Sequence, residues 1–301
     1  MGPPLEGHAT GADGRMGRED ANRAAGSRVS EFRRVTQICG IAGYSLIPRS
    51  GIERTLAAQA LLAAIAERGA DAVGYAYRSP GDAHPTVVKQ RTPASELLER
   101  VSVPETAGQL LVHVRDFTKG HPSIAANNHP VRHGPVVGIH NGIIVNDDEL
   151  LAGYDCARAE PRMTVDSEAI FALAAHSGSD AHALEALHGS MAAAWLDDRE
   201  PELLYAARGV GRPLWLGEGN DGIFFASTQL ALDIVEHYAG LRLKKKELRE
   251  GTLVACAAGE IVHRVRFEAS DYVDPDPLPA VRAPEEGDFC LNRLRAIAAA
   301  A

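Results

Sequence analysis

The chain has 301 residues, room for one large domain or two small ones, and its make-up of 45% hydrophobic and 24% charged residues is ordinary for a globular protein. A formal net charge of -9, with no basic run beyond Lys244, Lys245 and Lys246, argues against a nucleic-acid or anionic-membrane partner, and no apolar stretch reads as a signal peptide or a membrane span. Cys39, Cys156, Cys256 and Cys290 include no C-x-x-C pair, which excludes zinc-ribbon and thioredoxin-type readings, and free thiols without a secretion signal are expected in a reducing cytoplasm.

Residues 1–38 are rich in Gly and Arg and lack apolar periodicity, so a disordered extension or a propeptide is expected there, with a misplaced start codon as the competing explanation. Apolar order begins at Cys39. Residues 39–46 read as a buried strand and 52–67 as a helix stopped near Gly69. A strand pair at 72–77 and 86–90 flanks the turn residues Ser79, Pro80, Gly81 and Asp82. A short helix at 95–101 precedes strands at 110–115 and 136–140, the latter ending at Asn141 and Gly142. Helices follow at 166–175, with Thr164 or Asp166 as cap, and at 181–187. Short strands at 191–196, 203–207, 214–217, 222–226, 252–257 and 260–267 complete the pattern. It predicts antiparallel sheets covered by helices rather than a βαβ nucleotide fold. A Pro-rich linker at 275–284 and an amphipathic stub at 290–300 close the chain.

Five segments carry candidate chemistry: CGIAG at 39–43, HVRDFTKG at 113–120, NNHP at 127–130, HNGIIVN at 140–146 and VDSE at 165–168. Amide hydrolysis by cysteine needs a thiolate, a base and donors for the developing oxyanion. A cysteine at a chain's amino terminus supplies the first two together, because its α-amino group titrates near neutrality. The Asn141 side-chain amide and the Gly142 N–H suit an oxyanion hole. Arg115 offers a fork for the carboxylate of an amino-acid substrate, and Asp166 an anion for its ammonium. The bland alternatives are a core thiol for Cys39, a turn for Asn141 and Gly142, a surface ion pair for Arg115 and a helix cap for Asp166. Cys156, Cys256 and Cys290 are read as core thiols, Lys244–246 as a solvated face and His129 as a hydrogen-bonding brace for its loop. No metal site is expected from the clustered histidines, and no cofactor is implied.

In this order the segments resemble the glutaminase domain of glucosamine-6-phosphate synthase (glutamine–fructose-6-phosphate aminotransferase) and its class II glutamine amidotransferase relatives. The resemblance spans 39 to about 267 and takes in ERGADAVG at 67–74, RGVGRPL at 208–214 and ASTQLAL at 226–232. It implies an α+β Ntn-hydrolase fold, a four-layer αββα sandwich of two antiparallel sheets, over a domain of 39–268 followed by the linker and stub of 269–301. It also implies Cys39 as nucleophile, Asn141 and Gly142 as the oxyanion hole, and Arg115, Thr118 and Asp166 as the binders of L-glutamine. The implied activity is glutamine hydrolysis, with ammonia passed to a separate acceptor enzyme, a synthase partner.

Two departures qualify the resemblance. The family's loop usually reads R-W-A-T-H-G, whereas this chain has Arg115, Asp116, Phe117, Thr118, Lys119 and Gly120. Cys39 lies inside the encoded chain, where its acylated nitrogen cannot act as a base, so activity requires cleavage between Ile38 and Cys39. An amidohydrolase of another amide and a non-catalytic glutamine-binding module stay open as alternatives.

Overall fold

The computed structural model describes residues 39–274 and 281–300. The expectation for residues 1–38, and most of that for the Pro-rich linker, lies outside them. In chain order come β1 (Gly40–Leu46), α1 (Arg54–Ile65), β2 (Ala72–Arg78), β3 (Thr86–Gln90), α2 (Ala94–Leu98) and β4 (Gln109–Arg115). Then follow β5 (Val131–His133), β6 (Val136–Ile144), α3 (Asp147–Gly153), α4 (Glu168–Ser177), β7 (Gly189–Asp197) and β8 (Leu204–Arg208). The last are β9 (Trp215–Gly219), β10 (Gly222–Ala226), α5 (Gln229–Tyr238), β11 (Lys244–Glu247), β12 (Thr252–Ala257), β13 (Glu260–Arg266) and α6 (Pro284–Ala300).

The strands form two antiparallel sheets, a seven-stranded one in the order β11-β9-β10-β1-β4-β2-β3 and a six-stranded one in the order β13-β12-β8-β7-β6-β5. Side chains alternate across each strand, and the apolar clusters sort by that alternation. Ala42 and Tyr44 of β1 and Leu110, Val112 and Val114 of β4 pack outward with α1, α5 and α6. Val136 and Ile144 of β6 pack outward against Ile170 and Phe171 of α4. Ile41, Leu111, Val137 and Ile139 meet between the sheets. Three apolar layers thus separate four layers of structure, the α+β αββα sandwich expected from the sequence.

Several elements depart from the sequence reading. The helix expected at 52–67 ends as α1 at Ile65 and gives way to a 3-10 turn, Ala66–Arg68. Its N-cap is Glu53, whose carboxylate accepts from Thr55 N at 2.9 Å. The segment 181–187 winds as a 3-10 helix, Ala181–Ala186. Helix α4 starts at Glu168 with Ser167 at its N-cap, so neither Thr164 nor Asp166 caps it. Strand β6 does not stop at His140 but continues through Asn141 and Gly142, paired with Ala192 and Met191 of β7. Lys244–246 is not simply a solvated face. It forms edge strand β11, and Lys245 turns in to Asp233 at 2.8 Å and to Glu236. Lysines on an edge strand discourage a second chain from pairing there.

The C-terminal stub is a longer helix than expected. Cys290 and Leu294 of α6 are fully buried against α1 and its neighbours, and Glu286 accepts from Ser95 N and Ser95 Oγ at the start of α2. Residues 281–283 lie along the 3-10 turn, where the Arg282 and Ala283 N–H groups both donate to the Glu67 carbonyl at 2.8 Å. Truncating a buried leucine costs about 2–5 kcal/mol. Leu294→Ala should therefore lower the midpoint of thermal unfolding in a single transition; an unchanged midpoint would show that α6 unfolds apart from the sandwich.

Candidate active site

The same alternation that builds the middle layer aims the candidate residues. Odd positions of β1 and β4 face the other sheet, so Cys39 at the head of β1 and His113 and Arg115 at the end of β4 share that side. In β6 the odd positions Val137 and Ile139 face inward, and Asn141 follows in phase. His113 Nε2 donates to the His140 carbonyl at 3.1 Å, joining the two sheets next to Asn141. One end of the middle layer is therefore polar, whereas its centre is apolar.

Cys39 is 8% exposed, and its thiol donates to the Asp116 carbonyl at 3.5 Å. Burial pushes the thiol up to about 11, opposed by that hydrogen bond and by the charge of Arg115. The segment ERGADAVG supplies the support. Arg68 Nε approaches the Cys39 carbonyl at 3.5 Å, Asp71 N donates to the Arg115 carbonyl at 3.0 Å, and Asp71 Oδ2 accepts from Phe117 N at 2.9 Å. A Cβ on Gly69 would stand 2.5 Å from the Arg115 carbonyl oxygen, so only glycine permits that approach.

The Arg115 guanidinium is buried and braces its own loop. It donates to Asn128 Oδ1 at 2.7 Å and to the carbonyls of Lys119 and Gly120 at 2.8 and 2.5 Å. Thr118 lies half-buried between these anchor points. Asn127 Oδ1 caps the neighbouring segment by accepting from Thr164 N and Val165 N. Asp166 follows, buried, and accepts from Ile144 N at 2.8 Å. Burial raises its carboxyl to about 6, with Asp147 adding to the rise and Arg115 opposing it.

Asn141 is fully buried, and neither its Oδ1 nor its Nδ2 has a hydrogen-bond partner. Leaving such a group unsatisfied costs roughly 1–3 kcal/mol, which a fold retains where a ligand completes the bond. Gly142 has φ +143°, and a Cβ there would sit 1.9 Å from the Ser190 carbonyl oxygen. Only glycine lets β6 run on past Asn141.

Sequence reasoning missed two groups. His113 and His129 stack at 4.1 Å between ring centres, both buried. His129 was expected to brace its loop through hydrogen bonds, yet neither ring nitrogen has a partner; its contact is the stack. The clustering of histidines in sequence is the available signal, but it does not say which rings face each other. The second group is ionic. Lys119 Nζ lies 2.7 Å from buried Asp147 and 2.8 Å from Asp148, and Arg158 links the same two carboxylates to Glu168. Nothing local in the sequence pairs these residues.

Comparisons with known proteins find similarity to amidotransferases. A family model described as a glutamine amidotransferase domain matches residues 118–233. The glutamine–fructose-6-phosphate aminotransferase of Aliivibrio fischeri is 30% identical over 219 residues, 67% of this chain and 35% of that protein. That of Pseudomonas putida is 37% identical over 148 residues, 46% of this chain and 24% of that protein. This chain thus spans about a third or less of these curated relatives. Among solved structures, the glutamine phosphoribosylpyrophosphate amidotransferase of B. subtilis superposes with a TM-score of 0.59 at 19% identity, covering 76% of this chain and 49% of the other, a likeness of fold.

The buried histidines make stability pH-dependent. Burial lowers His113 and His140 to about 3 and lowers His129 as well, from an ordinary 6.5. The unfolded chain then binds protons that the folded one refuses, so stability is full above pH 6.5 and declines as pH falls toward 3. Each histidine contributes a slope of up to about 1.4 kcal/mol per pH unit. Asp166, raised from 3.8 to about 6, works in the opposite direction below pH 6 and offsets one of the three. Urea midpoints should fall between pH 7 and pH 5; a flat profile would show that the imidazoles are hydrated.

Proposed function

Since this chain belongs to the class II glutamine amidotransferases, we propose that it is a glutaminase in which Cys39, freed at the amino terminus by cleavage after Ile38, hydrolyses glutamine to glutamate and ammonia. The observation that carries the proposal is Asn141, whose buried and unpartnered side-chain amide stands beside the interaction that joins the two sheets. An orphaned amide in that position suits an oxyanion that exists only during the reaction.

In this reading glutamine enters the polar end of the middle layer. Asp166 receives its α-ammonium, and Arg115 its α-carboxylate, with Thr118 assisting. The Cys39 sulfur attacks the side-chain carbonyl carbon. Asn141 Nδ2 and Gly142 N–H hold the resulting oxyanion. The α-amino group of Cys39 takes the thiol proton and delivers it to the departing amide nitrogen, which leaves as ammonia. Water then cleaves the γ-glutamyl thioester to glutamate and regenerates the thiol. A thiol held near 11 by burial needs such an adjacent base, because little thiolate exists at neutral pH without one. Neutral ammonia is protonated and lost in bulk water at pH 7, which favours hand-over to a separate acceptor enzyme.

Three measurements test this reading. Protein expressed as the full chain should show an intact mass beginning at Cys39 and release glutamate; a mass retaining Ile38 with no glutamate would favour a non-catalytic glutamine-binding module. Cys39→Ala should abolish release without changing the unfolding midpoint. Asn141→Ala should lower kcat by roughly 10²–10³-fold, and a change under threefold would remove Asn141 from the oxyanion hole.

A further inference from the structure

The loop over Cys39 departs from the family pattern at Asp116, and that residue has a partner from beyond the region of resemblance. Asp116 Oδ2 accepts from Arg282 Nε at 3.0 Å. The Asp116 carbonyl is the same group that accepts the Cys39 thiol hydrogen at 3.5 Å. Arg282 is itself fixed, because its N–H and that of Ala283 donate to the Glu67 carbonyl and α6 follows directly, buried through Cys290 and Leu294. Glu67 precedes Arg68, whose Nε faces the Cys39 carbonyl. One 3-10 turn thus carries both the support beneath the nucleophile and the seat of the arginine above it.

We propose that Arg282 is a positioning residue for the Cys39 site: by pairing with Asp116 it holds the loop of residues 115–120 over the thiol, so that the segment leading into α6 completes the site. The kinetic part of this inference rests on the glutaminase reading; the loop geometry does not. The other end of the loop is held independently by Lys119 on Asp147 and Asp148. Asp116 and Arg282 are 19% and 33% exposed, and a pair so placed adds little to global stability. Its effect is local, on the one carbonyl that meets the nucleophile. Among the described residues, the charged groups that act on the thiol are Arg115, Asp116, Asp166 and Arg68, and Arg282 pairs with Asp116.

The test compares wild type, Arg282→Ala, Arg282→Lys, Asp116→Asn and the double variant Arg282→Ala with Asp116→Asn, all expressed as the full chain. Two quantities are read: steady-state glutamine hydrolysis, and the pH dependence of Cys39 alkylation by iodoacetamide, followed by peptide mass. Arg282→Ala should lower kcat/KM about tenfold, a coupling within the range found for contacting residues. It should also speed Cys39 alkylation at pH 8, with the midpoint moving down toward an ordinary thiol as water reaches the sulfur. Arg282→Lys should stay within about threefold of wild type in both, and Asp116→Asn added to Arg282→Ala should change little further. Unfolding midpoints should stay within about 3 °C of wild type. Equal alkylation profiles in wild type and Arg282→Ala, or single effects that multiply in the double variant, would overturn the proposal. A wild type that releases no glutamate would refute the glutaminase reading alone, since the alkylation comparison still decides the loop. Should Arg282→Ala fold poorly, Arg282→Lys and Asp116→Asn carry the same comparison.

Discussion

The arrangement depends on two antiparallel sheets meeting face to face with their strand periods in phase. Because side chains alternate along a strand, one residue choice at the head of β1 fixes that Cys39 shares a face with Ile41. The same rule brings His113 and Arg115 in behind Leu111, and Asn141 in behind Ile139. A slip of one residue in any of these strands would send its polar member into a helix-covered outer layer. Most of the shared layer is apolar, and its low polarity explains the directions of the titrations of Cys39 and His113, which face it, while the other groups are buried beside it. Burial raises the Cys39 thiol and the Asp166 carboxyl and lowers the three imidazoles.

Around this frame the loop of residues 115–120 is the adaptable part. Asp116 and Lys119 each find an opposite charge: Arg282 at one end of the loop, Asp147 and Asp148 at the other. Arg115 closes the loop by donating to the carbonyls of Lys119 and Gly120. Electrostatic anchors weaken with salt where they are exposed, as at Asp148, and persist where they are buried, as at Asp147.

The sequence disclosed the parts of the fold that are locally apolar. Strands β1, β4 and β10 stood out as short continuous apolar runs, buried along their whole length, and helix α1 as a longer one stopped near Gly69. What it hid was decided at a distance. Gly142 looked like the end of a strand, since an Asn–Gly pair commonly turns the chain; the close approach of Ser190 shows why glycine was needed to continue it instead. The alternative of Asp166 as a helix cap could not be decided locally; its carboxylate instead accepts from Ile144 N. His129 carried polar atoms that suggested hydrogen bonds, whereas a facing ring decided its place. Lys244–246 read as charge on a surface because the pairing of β11 with β9 is not encoded by neighbours in the chain. The candidate chemistry was legible because glycines and polar residues interrupt apolar strands there, but its ionic supports come from segments with no sequence signal linking them.

If Cys39 is the amino-terminal nucleophile proposed above, the place of β1 carries a further meaning. Terminal residues ordinarily fray, and a frayed nucleophile would search many orientations before each attack. Strand β1 has neighbours on both edges, β4 on one and β10 on the other, and Ile41 is bound again through Ser227 by N–H and carbonyl alike. A residue at the head of such a strand is clamped from both sides two positions in. Its wandering was paid for when the sheet formed, so an end of the chain can be as still as its middle.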